Sequence, residues 1–240
     1  MPAITVVLVA SAGGERLRAS LDSATWAPRV AVLDPAGRAE LSSLPAGTAR
    51  WRPSELAARL GADWLLLLAE GERVTAALRA ALVRVTQDGA AGAGAATAYR
   101  VSLEYAVFGA MLRPRAAPVR LCRGAPDGIG LSKHGQLSLR TPARPATLDA
   151  AVRVERAATL IDGVYELDRD AAAWAALEPP GTAVGALRTI RVGTASLLRT
   201  LLGRGSGRLG WGRLVLAVLH GYRAVLTLAK SWEAQRGPAT

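Results

Sequence analysis

Apolar runs of strand length alternate with polar, helix-like stretches over the first 85 residues. Ile4–Ala10 (ITVVLVA) is β-branched and almost wholly apolar, the pattern of a strand buried on both faces of a parallel sheet. Glu15–Ala24 follows the loop Ser11–Gly14 and carries Leu17 and Leu21 four apart, which predicts a helix. Arg29–Leu33 predicts a second buried strand ending at Asp34, and Thr48–Trp51 a short third one. Pro53–Leu60 opens with proline where a helix start tolerates it. Trp64–Leu68 (WLLLL) predicts a fourth strand, Ala69–Arg73 a loop, and Ala76–Val85 a helix capped by Thr75.

This alternation predicts an α/β fold with a mostly parallel sheet and flanking helices. Beyond it, Gln87–Ala96 reads as a connector, residues 99–145 as irregular strands and Tyr165–Leu177 as a helix. Glu178–Gly181 breaks the chain before a basic tail. Ligands of such sheets sit at the carboxyl ends of the strands, so Ser11–Gly14, Asp34–Gly37 and Ala69–Arg73 are the loops to inspect.

The tail changes the picture most. Of the net charge of +11 over 240 residues, residues 188–240 supply nine basic and one acidic side chain, net +8. Such a segment seeks anions. On a helical wheel Arg213, His220, Arg223, Thr227, Lys230 and Ser231 of residues 213–232 fall within an arc of roughly 100°. The rest of that wheel is apolar, with Leu214, Val218, Leu219, Tyr222, Val225 and Leu228 among its members. Two placements stand side by side: an amphipathic helix on an anionic membrane surface, or a helix packed on the α/β domain. Only Trp211, Tyr222 and Trp232 interleave with the tail's cations, so no nucleic acid is expected as partner. No apolar run reaches the ~20 residues of a membrane span. The N-terminus lacks a signal pattern, and the expected location is cytoplasmic, extending to the inner face of the cytoplasmic membrane. The lone Cys122 excludes an internal disulfide.

Candidate chemistry is sparse. Asp34 could accept hydrogen bonds from a nucleotide's base or ribose, or cap its own turn. Glu70 and Glu72 could hold Mg²⁺ or Mn²⁺ against a diphosphate, since hard cations take oxygen ligands, or form a solvated charged turn. Ser11 and Gly13 stand before a helix N-terminus, a place that suits phosphate. His134 has the ordinary pKa range of a base and an equally plain reading as a solvated loop residue.

Taken in order, these segments resemble glycosyltransferase family 2, in its branch of bacterial lipopolysaccharide-core transferases. Ile4–Val9, Glu15–Trp26 and Val30–Asp34 resemble the family's opening strand, helix and second strand, and Ala62–Arg73 resembles the segment with its metal motif. Arg120-Leu-Cys-Arg-Gly124 resembles its arginine-leucine-aromatic-arginine element, and Lys133-His134 falls at its histidine. Gly210–Glu233 resembles its C-terminal helix.

The resemblance implies a GT-A-like domain over residues 1–180 and basic amphipathic helices over 181–240. It implies sugar transfer from a nucleotide-sugar donor to a glycan or lipid-linked acceptor in lipopolysaccharide or cell-envelope polysaccharide assembly. Asp34, Ser11, Gly13 and Arg120 would then bind substrate and His134 would serve catalysis. The family's two metal-binding aspartates fall on Ala69 and Gly71, and the acidic residue after the histidine is Gly135. A magnesium or manganese cofactor therefore enters only if Glu70 and Glu72 rebuild its site. Two readings follow: a transferase, or a catalytically inactive relative that binds or scaffolds at the membrane.

Overall fold

The computed structural model describes residues 4–35, 37, 44–45, 47–60, 63–88, 96–107, 110–113, 117–124, 126–131, 137–141, 144–155, 160–177, 186–202 and 211–236. His134, Glu178–Gly181 and most of the Gln87–Ala96 connector lie outside the described residues.

The apolar runs form the centre of an α/β fold. Strand β1 (Ile4–Val9) pairs in parallel with β2 (Arg29–Leu33) on one side and with β4 (Trp64–Ala69) on the other, and β3 (Ala49–Trp51) extends the parallel set beyond β2. All six residues of β1 and all six of β4 are buried, as runs without alternation require. Beyond β4 the direction changes. β8 (Val119–Arg123) runs antiparallel to both β4 and β6 (Ala98–Val107). β11 (Ala146–Glu155) then pairs in parallel with β6 and carries β5 (Glu72–Val74) antiparallel on its outer side. The short β7 (Ala110–Leu112) folds back on β6, and β9 (Gly128–Leu131) pairs with β10 (Leu137–Arg140) as a separate two-stranded sheet.

Helices cover both faces of the main sheet. On one, Leu17 and Leu21 of α1 (Gly14–Asp22) and Leu78 and Leu82 of α3 (Ala76–Asp88) bury against Val6, Leu8, Leu66 and Leu68. Thr75 Oγ1 accepts from the Leu78 backbone N–H at 3.1 Å, the cap expected there. On the other face, Leu56 of α2 (Leu56–Leu60) and Trp174 of α4 (Leu160–Ala175) pack on Val7, Val9, Leu65 and Leu67. The Pro53 helix start is a 3₁₀ turn, Pro53–Glu55, that leads into α2.

The tail folds onto the domain as α5 (Ala186–Leu201) and α6 (Trp211–Arg236), with α6 also packed on α4. The two tail helices cross at glycines. A Cβ on Gly193 would stand 2.6 Å from Val225 Cγ2, and one on Gly221 would stand 3.3 Å from the Gly193 carbonyl oxygen. The orientation of α6 departs from the simplest wheel reading. His220, Arg223, Thr227 and Ser231, from its polar arc, are buried. His220 Nδ1 lies 3.1 Å from Thr200 Oγ1, and its ring meets Tyr105 edge-on. The Arg223 guanidinium lies 4.3 Å from the centre of the Trp174 ring. Thr227 and Ser231 donate to carbonyls one turn back, Arg223 O and Thr227 O. Each of these four residues has a partner for part of its polar surface, while His220 Nε2 and Arg223 Nε are buried without a hydrogen bond, so turning that arc inward carries a desolvation cost at those two atoms.

Candidate functional site

The chain leaves β1 toward β2 on one side and pairs β1 with β4 on the other, so the carboxyl ends of these three strands flank a crevice of the kind that receives ligands in open α/β sheets. Ser11–Gly13, Asp34 and Glu70 all stand there. The Ala10 N–H donates to Leu33 O and the Glu70 N–H to Val9 O, which ties the three strand ends together.

On the Asp34 side an open cleft adjoins the crevice, at the ends of β2 and β3. The cleft, of about 440 Å³, is lined by Val32, Asp34, Gly37, Arg50, Trp51, Arg52 and Glu55. That volume falls within the range of small-molecule sites. Asp34 follows β2, and Arg50 and Arg52 flank Trp51 at the end of β3, where Leu33 pairs with Trp51. Both arginines are exposed, while Trp51 is buried with the Arg59 guanidinium 5.8 Å from its ring centre. The cleft combines two carboxylates, Asp34 and the Arg59-paired Glu55, with two exposed arginines and an aromatic wall.

The neighbouring part is filled from within. Glu70 Oε2 accepts from the backbone N–H groups of Ser11 at 2.8 Å, Ala12 at 2.9 Å and Gly13 at 3.0 Å. Consecutive amides turned onto one point, ahead of a helix N-terminus, make an anion-binding concavity. Here the anion is a side chain of the same protein. Gly71, with φ +82°, turns the chain directly after Glu70, and a Cβ there would meet the Arg16 guanidinium at 2.5 Å. Arg16 Nη2 donates to Glu70 O, and the Gly71 N–H donates to Ser20 Oγ, which fastens the turn to α1. Ser11 Oγ donates to Asp170 Oδ1 at 2.9 Å, and Arg16 lies 3.5 Å from Glu166, so α4 closes this side.

The remaining sequence candidates lie inside the fold. Glu72 is 4 % exposed: its Oε2 accepts from the Ala69 N–H at 2.8 Å, and its Oε1 meets Arg120 Nη2 at 2.7 Å. Arg120 is fully buried and paired with Glu72, and it is not among the residues that line the open cleft. Glu70 therefore spends Oε2 on backbone amides, with Oε1 buried and without a hydrogen bond, and Glu72 spends both oxygens on an amide and an arginine. Among the described residues no group of three or more histidines, cysteines, aspartates or glutamates is placed to hold a metal ion. Cys122 is buried on β8, and burial pushes its thiol pKa up to about 12.

Sequence reasoning passed over Arg50, Arg52, Arg16 and Asp170. The arginines flanking Trp51 were legible as charges at the end of a short strand. Asp170 showed as a carboxylate three residues after Leu167 on the buried stripe Leu167–Ala171–Trp174 of α4. The chain matches no protein-family model and no curated protein.

Proposed function

We propose that this protein is a glycosyltransferase-family-2-like, GT-A-like domain that binds a nucleotide-sugar during cell-envelope polysaccharide assembly and has lost metal-dependent sugar transfer. The supporting observation is the crevice itself, open at Asp34 and closed at Glu70. In the open cleft Asp34 accepts hydrogen bonds from the base or ribose, and Arg50 and Arg52 offset diphosphate charge without a cation. In the closed part, Glu70 holds the three amides of the Ser11–Gly13 loop. A phosphate brought to those amides would meet a carboxylate already seated there, and like charges at contact repel.

The residues present do not fit a divalent cation. Ala69 and Gly71 offer no side-chain oxygen, and Glu72 is bound to Arg120. Stabilising the departing diphosphate is the main electrostatic task of a metal-dependent transferase, and among the described residues no group of three or more histidines, cysteines, aspartates or glutamates stands to hold the ion that does it. What remains is recognition of the donor.

A donor-turnover assay across uridine nucleotide-sugars, with and without Mn²⁺, tests this. The expected result is binding without release of free nucleotide or sugar. Mn²⁺-dependent turnover by the wild-type protein would restore the transferase reading.

A further inference from the structure

The inward turn of α6 has a consequence on its other side. Trp211, Leu214, Val218, Tyr222, Val225 and Trp232 are exposed, at 76, 43, 50, 45, 39 and 41 %. Their spacings of three, four, four, three and seven residues place them on one stripe of the helix, about 31 Å long at 1.5 Å per residue. Ile190, Leu198 and Leu202 are exposed on or directly after the neighbouring α5, at 63, 47 and 66 %. Soluble monomers rarely leave a continuous apolar strip of this extent in water, and such a strip marks a docking surface.

We propose that this stripe docks in the plane of an anionic lipid bilayer. The charge of the segment selects that occupant. Residues 188–240 hold nine cations against Glu233 alone, and Arg191 follows the exposed Ile190 on α5. Arg191 is itself exposed. Arg223 is buried on Trp174 and Lys230 pairs with Asp168, so both are occupied within the fold. The exposed Arg191 and the segment's net charge of +8 supply the attraction to lipid phosphates. A second copy of the chain would suit the heptad-like spacing but would bring two segments of net +8 together, which opposes assembly. No helix among the described residues is long and apolar enough to cross a membrane, so the surface lies on the bilayer. This docking is independent of what the Asp34 cleft binds.

Flotation of the full chain with vesicles of phosphatidylcholine containing roughly a third phosphatidylglycerol tests it, with pure phosphatidylcholine as control. The protein should float with the anionic vesicles, sink with the neutral ones and detach in high salt. Leu214→Glu combined with Val218→Glu changes two exposed side chains, and vesicle affinity should fall about tenfold or more while the melting curve is kept. Should that pair unfold the protein, the wild type still decides through Trp211 and Trp232, whose fluorescence should be quenched by brominated acyl chains. The proposal is overturned if the intact protein ignores anionic vesicles or if the folded double variant floats as well as wild type. It is equally overturned if light scattering shows a dimer that the double variant splits while vesicles stay unbound.

Discussion

The carboxylate of Glu70 reaches back 59 residues to the backbone N–H of Ser11, and its Oε2 accepts from that group at 2.8 Å. Two further amides of the same loop converge on it. The contact fills with a built-in anion the spot where a strand-to-helix loop would otherwise meet phosphate. It also fixes the end of β4 to the end of β1, so it has a structural consequence and a chemical one, which separate under mutation.

Glu70→Ala should destabilise the fold by about 2–4 kcal/mol, because one buried and two partly buried amides lose a charged acceptor. Glu70→Gln, which keeps one carbonyl oxygen in place, should cost less. The same alanine variant should gain a response that wild type lacks: added inorganic phosphate should raise its Tm, since the vacated amides become an anion site. Thermal melts with and without phosphate read both effects. A phosphate response equal in wild type and variant would show that the amides are not the site.

The Glu72–Arg120 pair should behave as a buried couple. Removing either partner alone, as Glu72→Gln or Arg120→Met, should cost about 3–5 kcal/mol because it leaves an uncompensated buried charge. The double variant should cost clearly less than the sum of the two. Urea unfolding of the four proteins measures the coupling, and additive costs would contradict it.

Much of this arrangement was legible in the sequence and part was not. The runs ITVVLVA and WLLLLA announce strands buried on both faces, and Arg29–Leu33 forms a strand with the bounds its pattern gives. Strand β5 was hidden because Glu72 and Arg73 resemble a charged loop, and its pairing partner β11 lies some eighty residues on. Asp34 was legible as a carboxylate at the end of a strand, since the strand's end gives its position directly. The roles of Glu70 and Arg120 were not, because each is decided by a partner tens of residues away that no local spacing encodes. The polar arc of α6 was visible as an arc. Its direction was not, because Thr227 and Ser231 satisfy themselves on their own helix and Arg223 needs Trp174.

Gly193→Val should loosen the tail. Its side chain would strike Val225 Cγ2, already 2.6 Å from the nearest Cβ position, and overpacking of this kind costs about 1–3 kcal/mol. Gly193→Val with Val225→Ala should recover part of that loss. Chemical denaturation of both variants checks it, and an unchanged midpoint for the single variant would contradict the crossing.

Cys122 should be inert in the native state. Burial pushes its pKa up from 9.0 to about 12, so the thiolate that reacts with disulfide reagents is suppressed at pH 8. An unfolded chain ionises this thiol at lower pH than the folded one, so the thiol's contribution is intact below pH 9 and stability falls as pH rises toward 12. Labelling with an aromatic disulfide reagent should be slow in buffer and complete in denaturant. Rapid labelling of the folded protein would show that β8 is open.

The central claim is a nucleotide cleft that works without a metal ion, and isothermal titration of the intact protein with uridine diphosphate tests it most directly. The account predicts saturable binding of equal affinity with and without Mn²⁺, weakened by about 1–3 kcal/mol in Asp34→Ala as the ligand's polar groups lose their acceptor. Binding that requires Mn²⁺, or that Asp34→Ala leaves unchanged, would contradict it.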